Sequence, residues 1–150
     1  IPVDNSWTAE NLDKTQRYII GVGANFNLSD QIYLSGSLKN VISKNLRTGK
    51  ELRYTPSWIG SIQCQIKKSE WVTDLSLNYL GSQIVIYDYP ENLMLSPAID
   101  SHFCVQIPPL FDQKIRLKMY ISNLLNREIM TIYGYPEHSR TTRIKISYTI

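Results

Sequence analysis

Cysteine and histidine are scarce, two of each in 150 residues, and each scarcity closes off a class of chemistry. Two cysteines cannot build a disulfide framework. His102 and His138 stand apart from each other and from any Cys, His or carboxylate at ligand spacing, so no metal centre is expected. Sixteen Lys and Arg against 13 Asp and Glu leave a net charge of only +3, too little for a nucleic-acid-binding protein built on charge. No apolar run reaches the ~18 residues of a membrane helix, and Ile1 to Glu10 lacks the basic-then-apolar pattern of a signal peptide. A 3.6-residue hydrophobic period is missing throughout. Catalytic patterns are missing as well: no Ser or Cys is framed by a base, no paired carboxylates mark a cleft, and Gly21-Val22-Gly23 lacks the third glycine and following helix of a dinucleotide fingerprint. The chain is therefore expected to be neither an enzyme nor a cofactor carrier.

What is present is alternation with a period of two. From Thr142 to Ile150, Ile144, Ile146, Tyr148 and Ile150 share one parity, and Arg143, Lys145, Ser147 and Thr149 the other. Lys114 to Ser122 repeats the split, Ile115, Leu117, Met119 and Ile121 against Lys114, Arg116, Lys118 and Tyr120. Five more segments follow it: Ile20 to Leu28, Gln31 to Ile42, Trp58 to Lys67, Trp71 to Leu80 and Ile99 to Ile107. The fold class read from this pattern is all-β, an antiparallel meander of about seven long strands.

The connections alternate in length. Leu28 to Asp30, Lys68 to Glu70 and Pro108 to Gln113 are tight, whereas Ser43 to Ser57, Gly81 to Ala98 and Asn123 to Arg140 are several times longer. Every long loop then falls at one end of the sheet and every tight turn at the other, which is the pattern of an outer-membrane barrel with short periplasmic turns and long extracellular loops. A ten-residue strand at ~3.3 Å per residue, tilted by ~40°, rises about 25 Å, the height of the apolar band of such a barrel. Trp58, Trp71, Tyr79 and Tyr148 near strand ends would form its interfacial aromatic girdle.

Loop sequences add a resemblance. Gly49-Lys50-Glu51-Leu52-Arg53-Tyr54-Thr55-Pro56, Ser122-Asn123-Leu124-Leu125-Asn126-Arg127-Glu128, and Tyr133-Gly134-Tyr135-Pro136 with Arg140 are similar, in order and spacing, to elements that TonB-dependent outer-membrane receptors carry toward the end of their barrels. The resemblance covers roughly Asp13 to Ile150. It implies a barrel of about 22 strands around a plug domain. It also implies import of a scarce ligand (siderophore, cobalamin or oligosaccharide class) across the outer membrane, with energy delivered through TonB. On this reading the chain is the last third of a barrel. Residues 1–16 are an irregular remnant of an extracellular loop, residues 17–150 are wall strands, and no plug lies within the chain. Its partners are outer-membrane lipid, the missing remainder of barrel and plug, and TonB only through a missing N-terminal part; nucleic acid is not among them. Topology points to the same truncation: with the long loops outside, the first and last of seven strands both run downward, whereas a complete barrel starts and ends in the periplasm.

Site expectations follow the parity. Lys114, Arg116, Lys118, Arg143 and Lys145 form a basic strip facing the lumen, where Asp74, Asp100, His102, Asn78, Gln63, Gln65 and Gln106 also point. Tyr54, Tyr87, Tyr89, Tyr133 and Tyr135 crowd the loop ends, where aromatic faces hold an apolar or cationic ligand or form the upper girdle. Asp88 to Asn92 reads as a plain acidic turn. Cys104 takes the inward parity and Cys64 the outward, about 10 Å apart with a strand between them, beyond disulfide reach. Two other architectures suit the alternation: a small soluble barrel binding an apolar ligand, with the Ile and Leu parity inside, and an autonomous small outer-membrane barrel. The second needs one more strand from Ile1 to Gln16, where Pro2, Asp4, Asn5 and Asn11 disfavour it.

Overall fold

The computed structural model describes residues 14–89, 91–111 and 114–148. Seven strands form one antiparallel sheet: β1 (Thr15–Asn27), β2 (Ile32–Asn45), β3 (Trp58–Lys68), β4 (Trp71–Leu80), β7 (Ala98–Gln106), β8 (Ile115–Ser122) and β11 (Thr141–Tyr148), neighbours in that order. The sheet is an open meander, with β1 and β11 as its edges. Two small hairpins, β5 (Gln83–Tyr89) with β6 (Glu91–Leu95) and β9 (Met130–Ile132) with β10 (Tyr135–Pro136), stand inside the long loops. No described residue is helical.

Register explains why the strands pair as they do. One cross-strand row runs Phe26–Leu34–Cys64–Leu75–Phe103–Ile121, and the row beside it on the opposite face runs Asn25–Ser35–Gln63–Ser76–His102–Ser122–Thr141. Side chains opposite each other across strands share a face, so one face is apolar and the other polar over the whole width. Ile144, Ile146 and Tyr148 face Met119, Leu117 and Ile115, which puts both terminal strands on the same apolar side; Ile150 lies outside the described residues.

Tight turns close the strands at one end. Ser29 Oγ accepts from the amides of Gln31 and Ile32, at 3.2 Å each, turning β1 into β2. Ser69 takes φ +55° in the turn between β3 and β4. Pro108 and Pro109 end β7, and the amide of Leu110 donates to the carbonyl of Ile115 at 2.8 Å to start β8. The long connections all lie at the other end.

Three details differ from the sequence reading. β1 begins at Thr15 and β2 runs on to Asn45, because Tyr18 pairs with Ile42 and Ile19 with Val41; the consecutive Ile19 and Ile20 hide this continuation of the alternation. The long connection from Gly81 to Ala98 contains the hairpin β5–β6, with Asp88 and Tyr89 ending β5 and Glu91 and Asn92 starting β6; its pairing is broken by irregularities between Ile84 and Ile86 and between Ile86 and Tyr89 that spoil any simple period. Lys114 lies in the turn before β8, its amide bonded to the carbonyl of Phe111 at 3.1 Å, so it is not a strand residue. Residues 1–13 lie outside the described residues.

Little of the apolar surface is covered. Among the described residues the buried hydrophobics are Val41, Val85, Leu95 and Ile129, while Ile20, Val22, Ile144 and Ile146 are each about 70 % exposed. Among the described residues the apolar face is thus a surface, with no core of packed side chains against it.

Cys64 and Cys104 are both free, on opposite faces and flanking β4, where Cys64 is opposite Leu75 and Cys104 opposite Asp74. Both thiols are expected to react with a maleimide in denaturant without prior reduction; a mass shift that needs reductant would contradict this strand order.

Candidate functional site

The apolar face carries its aromatic residues at its two margins. Trp58 opens β3 opposite Asn40 and Tyr79 is opposite Gly60, both toward the long-loop end; Trp71 opens β4 opposite Lys68, and Tyr148 is opposite Ile115, both toward the tight-turn end. All four are at least one-third exposed. Tyr18 and Phe26, which the sequence reading did not single out, extend the two margins onto β1.

The polar face is laced by side-chain hydrogen bonds. Gln65 Nε2 donates to Asp74 Oδ1 at 2.7 Å, Arg17 Nε to Ser43 Oγ at 3.1 Å, and the hydroxyls of Ser37 and Ser61 lie 2.8 Å apart. His102 Nε2 is 2.9 Å from Asp100 Oδ2. Toward β11 the character changes. Lys118 is directly opposite Lys145, Arg143 is opposite Tyr120, and Arg116 is opposite Ser147, so four cations share one patch of this face without an ion pair to any described acid. The repulsion between directly opposed lysines is worth a few tenths to about 1 kcal/mol.

The long loops pack together into a cap over their end of the sheet. Asn45 closes the first loop: its Oδ1 accepts from the amides of Arg47 and Thr48, and Gly49 takes φ +69° to turn the chain back. That loop is tied to β5, where the amide of Tyr54 donates to the carbonyl of Ile84 at 2.9 Å and the Tyr87 hydroxyl donates to the carbonyl of Glu51 at 2.7 Å. Lys50 Nζ sits 4.9 Å from the centre of the Tyr87 ring. Burial pushes the Tyr87 phenol above its ordinary pKa, helped by the Glu51 carboxylate and opposed by Lys50 and Arg53. β6 in turn touches β9.

The loop tyrosines therefore divide. Tyr87 and the backbone of Tyr54 are used in tying the cap, whereas Tyr133 and Tyr135 flank Gly134 at the tip of β9–β10 and are more than half exposed. Tyr89 ends β5.

The third loop has its own knot, unforeseen from the residues alone. Asn123, buried and at φ +50°, accepts from the amide of Arg127 at 3.0 Å and donates to the carbonyls of Arg127 and His138 at 2.7 and 3.3 Å. Ser101, fully buried on the apolar face, accepts from the amides of Leu124 and Leu125 through its carbonyl and hydroxyl. Asn126 Oδ1 accepts from the amide of Arg140. An Asn tolerates the left-handed backbone and supplies both a donor and an acceptor, which is the signal in Ser122-Asn123.

No family model and no curated protein sequence matches the chain. Among solved structures, a mutant of the ferric enterobactin receptor of Pseudomonas aeruginosa superposes with a TM-score of 0.72 over 85 % of this chain, at 18 % identity. The sheet has the fold of part of a receptor barrel. The chain spans about a fifth of that receptor, 21 % of its length, and by itself the barrel is not closed.

Two outcomes test this geometry. Lys145→Glu converts the opposed lysines into an ion pair and is expected to raise stability toward urea in detergent micelles by a few tenths to about 1 kcal/mol; an unchanged or lower midpoint would show that the strip is not repulsive. Tyr87→Phe removes one hydrogen bond, so amide exchange across residues 50–57 should speed up by roughly 1 kcal/mol of lost protection. Because the folded phenol titrates above its ordinary pKa, this tie should persist past pH ~10 and fail only as tyrosinate forms at higher pH. Loosening of residues 50–57 below pH ~9 would contradict it.

Proposed function

We propose that the chain is wall and loop cap of an outer-membrane import receptor of the TonB-dependent class, the C-terminal part of its barrel. The observation that carries this reading is a sheet with one continuous apolar face, uncovered and edged by aromatics at both margins, in the fold of a receptor barrel. A hydrocarbon surround stabilises such a face where water would not. The polar face then lines the lumen. The long loops reach outside the cell, and Trp58, Trp71, Tyr79 and Tyr148 sit at the two membrane interfaces. The ligand is a scarce one of the siderophore, cobalamin or oligosaccharide kind, met first by exposed loop aromatics such as Tyr133 and Tyr135. The basic strip of Arg116, Lys118, Arg143 and Lys145 lies toward the tight-turn half of the wall, where an acidic stretch of the plug supplies counter-charge beyond what Asp74 and Asp100 of the strands provide. Edges β1 and β11 pair with the strands that complete the barrel. TonB acts through the plug side of the receptor and makes no contact with this wall.

The 150-residue chain refolded by itself tests the reading. It is expected to need detergent to stay dispersed, and in lipid vesicles to give aggregates or edge-paired species in place of one heat-modifiable, protease-protected monomer, because unpaired edge amides cost several kcal/mol each in hydrocarbon. A monodisperse monomer without detergent would replace this reading with the small soluble barrel. A protected monomer in vesicles would replace it with the autonomous small barrel.

A further inference from the structure

The apolar face carries a hollow that strand packing does not require. It measures about 550 Å³ and is lined by Ala24, Gly36 and Gly60 together with Leu38, Ile62 and Tyr79. All six belong to two adjacent cross-strand rows, Val22–Leu38–Gly60–Tyr79–Ile99 and Ala24–Gly36–Ile62–Leu77–Ser101. Glycine inside a strand weakens it and often marks a place where something else approaches closely. Other glycines have little room: a Cβ on Gly21 would lie 2.9 Å from Lys39 Cγ, and one on Gly81, just past β4, 3.0 Å from the Trp58 amide nitrogen. At Gly36 a Cβ would meet nothing nearer than 3.6 Å, and at Gly60 nothing nearer than 3.4 Å, so both positions would admit a Cβ without displacing a neighbour. Their effect is to keep the hollow open.

The charges on this face say what fills it. Across the seven strands the apolar face holds no acid; its charged residues are Lys44 at the long-loop end and Lys68 at the tight-turn end, with Lys14 one step before β1 on the same side as Lys44 and Glu51 of the first loop bridged opposite Lys44. Lys44 stands six residues up β2 from Leu38, about 20 Å at ~3.3 Å per residue, with Asn40 and Ile42 between them on this face. An apolar hollow at one end of this track and, at the other, two lysines that outnumber the single acid Glu51 match a molecule with a hydrocarbon tail and an anionic head. Resting on the wall reading above, we propose that the hollow seats an acyl chain of an anionic lipid of the outer leaflet, its phosphate held at Lys14 and Lys44.

The test uses the protein at its natural length, extracted from its own membrane in mild detergent and exchanged into micelles holding equal amounts of phosphatidylglycerol and phosphatidylcholine with matched chains. Native mass spectrometry should find phosphatidylglycerol retained in several-fold excess. Gly36→Leu and Ala24→Leu, which fill the hollow from β2 and from β1, should each abolish that retention, and if one of them fails to accumulate the other decides. Lys44→Gln should remove the preference between the two lipids while leaving some of each bound. Equal retention of both lipids by the unaltered protein, or wild-type retention in the filled variants, overturns the proposal while the wall reading stands. A protein stripped from its membrane by alkaline carbonate overturns both.

Discussion

Everything in this sheet depends on strand phase. A β-strand sends successive side chains to opposite faces, and the pairing keeps Phe26, Leu34, Cys64, Leu75, Phe103 and Ile121 in one row across six strands. A slip of one residue between β8 and β11 would bring Lys145 beside Leu117 or Met119 and turn the basic set toward the apolar side. Register is therefore fixed by two incompatible surroundings, one for each face. The tight turns at Ser29 and Ser69 hold the same phase from below, since they leave no slack for a strand to shift.

Stability drawn from phase in this way is borrowed from the surroundings. Val41, Val85, Leu95 and Ile129 are the buried hydrophobics among the described residues, and three of them lie in or beside the loop cap. The cap is consequently the part that resembles a small globular protein, with buried side chains and a knot of side-chain hydrogen bonds. The wall beneath it has ladders of backbone hydrogen bonds and two wide faces that something else must cover. A bilayer suits one face, because hydrocarbon accepts the Ile and Leu side chains and punishes any unpaired amide, which presses every strand to find partners on both sides.

The wall was legible in the residues and the cap was not, for one physical reason. Alternation survives in any strand with unlike faces, so Ile115 to Ile121 and Ile144 to Tyr148 announce themselves without knowledge of their partners. The hairpin β5–β6 is covered and irregular: Ile84, Val85 and Ile86 follow one another without alternation, and bulges break the pairing. Nor does spacing reveal the tie between Tyr87 and the Glu51 carbonyl, since these residues meet only after two loops have folded onto each other. The basic strip was readable as a parity; its sharpest feature, Lys118 set directly against Lys145, needed the register. The hollow was invisible for a different reason, because Gly36 and Gly60 belong to different strands and line one space only once those strands pair.

Asn123 and Ser101 bind the start of the third loop to its end and to β7, so that the segment from Glu128 to Glu137 leaves and returns through a collar set by side chains outside it. Such a collar separates inheritance from novelty. A change confined to the tip around Tyr133 would leave the strands that carry it undisturbed, because the geometry of its two ends is specified by residues outside it. The tip is in this sense detachable, and the frame beneath keeps its form without it.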